Sequence, residues 1–126
     1  MKEKCVIIVS ESYSSGEKAN AAAILGAFLG QNRPDLIGPD SIAKSGETLK
    51  GIITIPVPVL QTSAVRILEL AAHTDYIFTD TAQHSRTYDE YLIRQKEQDM
   101  RPIGILLIGP EKKIRKLTGD LPLMKN

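Results

Sequence analysis

The stretch that decides the fold is Cys5-Val-Ile-Ile-Val-Ser-Glu-Ser-Tyr-Ser-Ser-Gly-Glu-Lys-Ala-Asn-Ala-Ala-Ala-Ile-Leu-Gly-Ala-Phe-Leu-Gly30. Its β-branched run without alternation predicts a strand that is covered on both faces. Ser14 and Glu17 have the spacing of a capping box, which predicts the start of an Ala-rich helix. Small residues recur every fourth position around Gly26, so we expect that face of the helix to pack closely on a sheet.

Lys18 is the functional candidate of this first turn. Free N–H groups, a serine-rich turn containing Ser12 and Ser15, and an ammonium together suit a phosphate, carboxylate or oxyanion. The alternative is that Lys18 points into solvent and pairs with Glu11 or Glu17. The glycine patterns of nucleotide-binding loops are missing from this turn.

Length and composition predict one domain covering residues 1–126, whose α/β class follows from the order of its predicted elements. The chain is 42% hydrophobic and 25% charged, which excludes a disordered chain. Aromatic residues make up only 5%, and the formal net charge is +1, so neither base stacking nor an overall field favours nucleic acid.

Cysteine and histidine are too few for the common metal clusters. Cys5 is the only cysteine and there are two histidines, so we expect no metal and no cofactor. In a predicted strand, Cys5 is expected to be a small buried apolar residue. A cytosolic location and no membrane partner are expected, since no apolar run suits a signal peptide or a membrane span.

Three further strands are predicted along the chain. One begins at Gly51 and weakens where Pro56 and Pro58 cannot donate to a ladder. The other two cover 76–80 and 103–108. The polar residues between the first helix and Gly51 are expected to hold a short strand or hairpin, around 36–37 and 48–49, or to form a lid over a site.

A helix is predicted between the second and third strands. Thr62 or Ser63 caps it, and its apolar stripe is Val65, Leu68 and Ala72, flanked by Ile67 and Leu70. Strands that alternate with helices predict a three-layer α/β/α fold whose mixed, mostly parallel sheet has at least four strands. Ligands of such sheets bind at the carboxyl ends of the strands.

The turn after the third strand has the densest chemistry in the chain, Asp80-Thr-Ala-Gln-His-Ser-Arg-Thr87. Asp80 could act as a base or orient a water, and Arg86 could clamp a phosphate or carboxylate. The alternative is that the hydroxyl and carboxyl groups form caps and turns while Arg86 is solvated. Thr87 and Glu90 have the spacing of a second capping box.

The chain resembles a family of uncharacterised bacterial proteins, the domain of unknown function two thousand, over essentially its whole length. The matching motifs are Ala19-Asn-Ala-Ala-Ala23, Ile37-Gly-Pro-Asp40, Ile55-Pro-Val-Pro-Val-Leu60, Arg86-Thr-Tyr-Asp-Glu-Tyr91 and Leu117-Thr-Gly-Asp-Leu-Pro-Leu123.

Shorter segments resemble type II peptidyl-tRNA hydrolases. They are Gly16-Glu-Lys-Ala19, Thr79-Asp80 with Arg86-Thr87, and Ile108-Gly-Pro110 followed by the Leu117 motif. The resemblance implies the hydrolase fold and hydrolysis of an acyl ester, by analogy that of peptidyl-tRNA.

The hydrolase resemblance also implies roles for residues of the two turns. Lys18 and Asp80 take the catalytic positions, with Lys18 stabilising an oxyanion or binding phosphate and Asp80 holding the attacking water. The candidate substrate-binding residues are Ser12, Ser15, Asn20, Thr81, His84, Arg86 and Thr87.

Two functions remain open at this point. One is the acyl-ester hydrolase, and the alternative is a non-enzymatic protein that binds a small anionic or phosphorylated ligand through the Ser12–Lys18 turn and Arg86. A homodimer is possible. If the two turns form one site, Lys18 and Asp80 lie near each other across the strand ends.

Overall fold

The structure is a computed structural model that describes residues 2–126. It is a mixed α/β fold with six strands, five α-helices and one short 3₁₀ helix in that range. The elements in chain order are β1 (Glu3–Ser10), α1 (Ser15–Asn32), the 3₁₀ helix (Pro34–Leu36), β2 (Ser41–Ile42), β3 (Thr48–Leu49), β4 (Val59–Thr62), α2 (Ala64–Ala71), β5 (Ile77–Thr79), α3 (Asp80–Gln83), α4 (Tyr88–Glu97), β6 (Pro102–Pro110) and α5 (Glu111–Thr118).

Four strands form the main sheet in the order β4-β1-β6-β5. β1 runs parallel to β4, whereas β6 is antiparallel to both β1 and β5. A mixed sheet of four strands is therefore confirmed, but the expectation of a mostly parallel one is wrong. After β5, helices α3 and α4 bring the chain back to the end of the sheet that it left, where Thr79 pairs with Pro102. The buried apolar run of β6 carries no signal of strand direction.

Helix α1 begins as the sequence predicts. Ser14 Oγ accepts the Glu17 N–H at 3.2 Å, and the Glu17 carboxylate accepts the Ser14 N–H at 3.1 Å, so both halves of the capping box form. The packing face is a different one from that expected, because Gly26 is exposed and a Cβ there would meet nothing within 4 Å. The close approach is at Gly104 in β6, where a Cβ would lie 2.9 Å from the Leu25 side chain.

The predicted strand after Gly51 is displaced toward the carboxyl end. Residues 51–55 form only an isolated bridge, between Ile53 and Ile37, and the regular strand β4 starts at Val59. The two prolines explain the shift, since each lacks the N–H that a ladder needs. Pro58 still contributes its carbonyl, which accepts the Ile7 N–H at 3.0 Å.

Helix α2 has the predicted cap but a different buried face. Ser63 Oγ accepts the Arg66 N–H at 3.2 Å. The expected stripe is wrong, because Val65 and Leu68 are 71% and 50% exposed and Ala72 is exposed as well. The residues that face the sheet are Ile67, Leu70 and Ala71.

The hairpin expected between α1 and β4 exists, with a different first strand. Thr48–Leu49 pairs with Ser41–Ile42, whereas 36–37 closes the 3₁₀ helix. At the second expected capping box, Thr87 Oγ1 accepts the Glu90 N–H at 3.1 Å, but the Glu90 carboxylate accepts the N–H of Arg86 instead of that of Thr87.

The sheet has an apolar cluster on each face. Cys5, Ile7 and Val9 of β1 pack with α1 residues that include Leu25, and the alternate residues of β1 pack with α2 and α5. Within residues 2–126, no helix combines the length and the hydropathy that a membrane crossing requires.

Candidate functional site

Strands β1, β4 and β5 run in the same direction, so their carboxyl ends lie at the same end of the sheet. Their last residues, Ser10, Thr62 and Thr79, are all buried polar residues. The turn into α1 and the turn into α3 follow two of these strand ends, β1 and β5, and β6 lies between them. This end of the sheet therefore carries the two polar turns that the sequence singles out.

Lys18 is buried, with only 3% of its surface exposed. Its Nζ donates to the Lys125 carbonyl at 2.7 Å and to Gln61 Oε1 at 3.3 Å. Gln61 belongs to β4, so Lys18 reaches toward the β4 side of the sheet. The solvent-exposed alternative for Lys18 is wrong, and no ion pair or hydrogen bond joins it to Asp80 within the described part of the chain.

The Lys18 ammonium is enclosed by the segment that follows α5. The Gln61 N–H donates to the Pro122 carbonyl at 3.0 Å, and the Met124 N–H donates to the Val59 carbonyl at 2.8 Å. Gln61 Oε1 also accepts the Lys125 N–H at 3.0 Å. We call residues 122–125 the edge segment, because they run along the outer side of β4.

Asp80 lies in a more open cluster on the β5 side. Its Oδ1 is 3.0 Å from His84 Nδ1, and the two side chains are 34% and 52% exposed. His84 Nε2 lies 3.6 Å from the Glu17 carboxylate. The Tyr13 hydroxyl lies near Asp80, whose charge acts on the pKa of this tyrosine. We call Tyr13, Glu17, Asp80 and His84 the carboxylate cluster.

The two turns therefore meet, but not through Lys18. The contacts between them are the pairs just described and a hydrogen bond of 2.8 Å from Asn20 Nδ2 to Gln83 Oε1. Of the candidate residues, the structure brings Asn20, Asp80 and His84 to the junction of the turns.

The other candidate residues have local or separate roles. Ser12 and Ser15 are exposed in the turn and at the start of α1, and Thr81 is buried with its hydroxyl 2.8 Å from Gln98 Oε1. Arg86 and Thr87 line a groove of about 380 Å³ beside β5.

Two titratable groups of the carboxylate cluster have shifted pKa values. Burial first, and then the charge and hydrogen bond of Asp80, raise the pKa of Tyr13. Hydrogen bonds from the Ser14 N–H and hydroxyl lower the pKa of Glu17. Tyr13 therefore keeps its proton at neutral pH and lies beside Asp80 as a neutral phenol. Glu17 is a carboxylate and adds negative charge near His84.

Cys5 is fully buried in β1, as expected. Burial raises the pKa of its thiol to about 11, which suppresses the nucleophilic thiolate. Within residues 2–126, no group of three His, Cys, Asp or Glu side chains has the arrangement of a metal site.

Sequence reasoning missed Tyr13, Gln61 and Gln83. Gln61 and Gln83 are not marked by any motif, because each acquires its partner from a distant part of the chain. Tyr13 had a signal, because it is the one aromatic residue in the polar turn after β1.

Comparison with known proteins shows the family and the fold. The chain belongs to a family described as a protein of unknown function, DUF2000, whose model matches residues 3–125, so this resemblance is confirmed. A solved structure of a protein of unknown function from Agrobacterium tumefaciens is 16% identical, with a TM-score of 0.84 and 99% of each chain covered. No curated protein matches the sequence.

Proposed function

We propose that this member of the DUF2000 family hydrolyses an acyl ester, with peptidyl-tRNA as the first substrate to test. The proposal starts from the resemblance to type II peptidyl-tRNA hydrolases. The observation that carries it is the Asp80 carboxylate, 3.0 Å from His84 Nδ1 and partly open to solvent. A carboxylate held by two polar neighbours at the end of a strand suits the activation of water.

In the proposed reaction, Asp80 acts as the general base. A water oxygen forms the new bond to the acyl carbon while its proton passes to the Asp80 carboxylate. The bond from that carbon to the alcohol oxygen of the leaving group then breaks, and the proton passes from Asp80 to this oxygen. His84 orients the carboxylate, since its Nδ1 lies 3.0 Å from Asp80 Oδ1, and the Tyr13 phenol lies nearby.

Lys18 is the residue whose proposed role needs a rearrangement. To stabilise an oxyanion, its ammonium has to exchange the Lys125 carbonyl, now 2.7 Å away, for an oxygen of the substrate. Displacement of the edge segment by the substrate provides that exchange.

The proposed fold is the three-layer, hydrolase-like one. Its support is that α1 packs on one face of the sheet and α2 and α5 pack on the other. A cytosolic location and a homodimer remain predictions. The alternative function, a non-enzymatic protein for a small anionic ligand, needs Lys18 and Arg86 to hold one ligand. This alternative is less favoured, because Lys18 faces β4 whereas Arg86 lines the groove beside β5.

A turnover assay on peptidyl-tRNA tests the proposal. The wild-type protein is expected to release the peptide, and Asp80→Asn is expected to slow release by about 100-fold or more, as loss of a general base does. Asp75→Asn is the matched control, because this exposed aspartate lies before β5, away from the carboxylate cluster. Lys18→Ala is expected to lose activity as well. No release by the folded wild-type protein, or full activity of Asp80→Asn, would overturn the proposal.

A further inference from the structure

The groove beside β5 is a second feature at the same side of the molecule. It lies between α1, the outer strand β5 and the start of α4, and its volume of about 380 Å³ is within the range of small-molecule sites. Its walls are mainly apolar or aromatic, and Ile24, Phe28, Phe78 and Tyr91 are among them. The carboxylates of the carboxylate cluster do not line it.

Among the residues that the structure describes, Arg86 is the only charged one that lines this groove. Arg86 is exposed, and its guanidinium forms no hydrogen bond or ion pair with any residue from 2 to 126. The nearest comparison is Arg94, whose guanidinium contacts the His84 carbonyl, the Ser85 hydroxyl and the Glu90 carboxylate. Glu90 is thus already engaged, both by Arg94 and by the Arg86 N–H.

The aromatic side of the groove is also exposed. Tyr88 is 71% exposed, and its ring meets that of Tyr91 edge to face, with centroids 5.4 Å apart. Ile24, on the opposite wall, is 37% exposed. An apolar surface of this kind next to an unpaired cation is complementary to a molecule with an apolar body and one negative charge.

We propose that this groove binds a small amphipathic carboxylate with an aromatic or branched apolar body. The carboxylate oxygens accept two N–H groups of the Arg86 guanidinium, and the body lies between Ile24 and Tyr91. The inference goes beyond ester hydrolysis, because binding here needs neither Asp80 nor Lys18. It also differs from an anion held jointly by Lys18 and Arg86, since the apolar walls supply part of the affinity.

The test uses 3-phenylpropionate as the probe, followed in ¹H–¹⁵N spectra of the whole chain. Saturable shifts are expected at the backbone amides of Ile24, Arg86, Tyr88 and Tyr91. The neutral 3-phenylpropionamide and acetate serve as matched ligands that lack the charge and the apolar body. Both are expected to bind at least about tenfold more weakly, a loss that corresponds to one charge-assisted contact or to the buried ring.

Variants assign the effect to residues. Arg86→Gln is expected to weaken binding of 3-phenylpropionate by about tenfold without changing the affinity for the amide. Arg115→Gln is the control, because this arginine lies on α5 and its guanidinium pairs with Glu111. Equal binding of acid and amide, no effect of Arg86→Gln, or shifts outside the groove would each overturn the proposal. Asp80→Asn is expected to bind the probe as the wild type does. Its binding therefore tests the groove independently of whether the protein hydrolyses an ester.

Discussion

Lys18 and Asp80 follow two strands that terminate at the same end of the sheet, yet one side chain is buried and the other is partly open to solvent. Lys18 is 3% exposed, and its ammonium has two oxygen partners. The Asp80 side chain is 34% exposed and lies among the other residues of the carboxylate cluster. The comparison teaches that a residue type suited to catalysis can also hold chain segments together in the free protein. On the β4 side a cation is sealed by the edge segment, and on the β5 side a carboxylate stays accessible.

The largest expected effect of breaking this comparison is on stability. Lys18→Ala removes a buried donor and leaves Gln61 Oε1 and the Lys125 carbonyl with one partner fewer. We expect the free energy of unfolding to fall by about 2 kcal/mol, the scale for hydrogen bonds made by a charged group. Urea unfolding measures the change.

Two substitutions calibrate that measurement. Asp80→Asn and Lys44→Ala, the second at an exposed lysine, are expected to change the free energy of unfolding by less than about 0.5 kcal/mol. If Lys18→Ala is as mild as Lys44→Ala, the ammonium does not anchor the edge segment, and the contrast between the two sides is lost.

A smaller effect is expected at the start of α1, which supports the carboxylate cluster. Ser14→Ala removes the cap of the helix and is expected to cost about 1 kcal/mol of unfolding free energy. Ser45→Ala provides the comparison, since this exposed serine lies between β2 and β3 and caps none of the α-helices. An unchanged midpoint for Ser14→Ala would mean that the cap does not hold Glu17 in place.

The same cap makes a prediction about pH. The pKa of Glu17 is lower in the folded protein than its ordinary value of 4.5, because the Ser14 N–H and hydroxyl donate to it. The ionised form thus stabilises the fold fully above pH 4.5, and this contribution is lost as the pH falls through the folded pKa. The stability difference between wild type and Glu17→Gln should be constant above pH 4.5 and shrink as the pH falls below it. A difference in urea titrations that stays constant below this pH as well would contradict the shift.

The smallest expected effect is spectroscopic. Asp80→Asn removes the negative charge beside Tyr13, so the pKa of Tyr13 should move down, while burial, the larger cause, keeps it above the ordinary value. A tyrosine-specific ¹³C titration follows this group apart from the other three tyrosines. Asp75→Asn should leave the Tyr13 titration unchanged, and an equal shift in both variants would show that Asp80 is not its partner.

The sequence predicts well what depends on neighbouring residues. The capping box at Ser14, the cap at Ser63 and the buried strand around Cys5 follow from local hydrogen bonding and local apolar runs, and the structure has all three. Gly26 shows the limit of such patterns, because spacing identifies a face of small residues but not whether that face meets the sheet. The true contact glycine, Gly104, depends on a partner helix far away in the chain.

The sequence identifies residues of the candidate site better than it identifies which of them contact one another. Asp80 and His84 are close in sequence, so their contact follows from one turn of helix. The environment of Lys18 was not accessible, because Gln61 and Lys125 lie 43 and 107 positions away. Strand direction was also hidden, since the apolar run of β6 suits either orientation.

The central position of β6 has a consequence for biosynthesis. β1 and β5 are joined only through this strand, yet it is the last strand of the sheet to leave the ribosome. Until residues 102–110 have emerged, β1 can pair with β4 alone, and the inner edge of β5 has no partner. The nascent chain therefore carries unpaired strand edges through most of its translation, the condition in which binding by a chaperone is most useful.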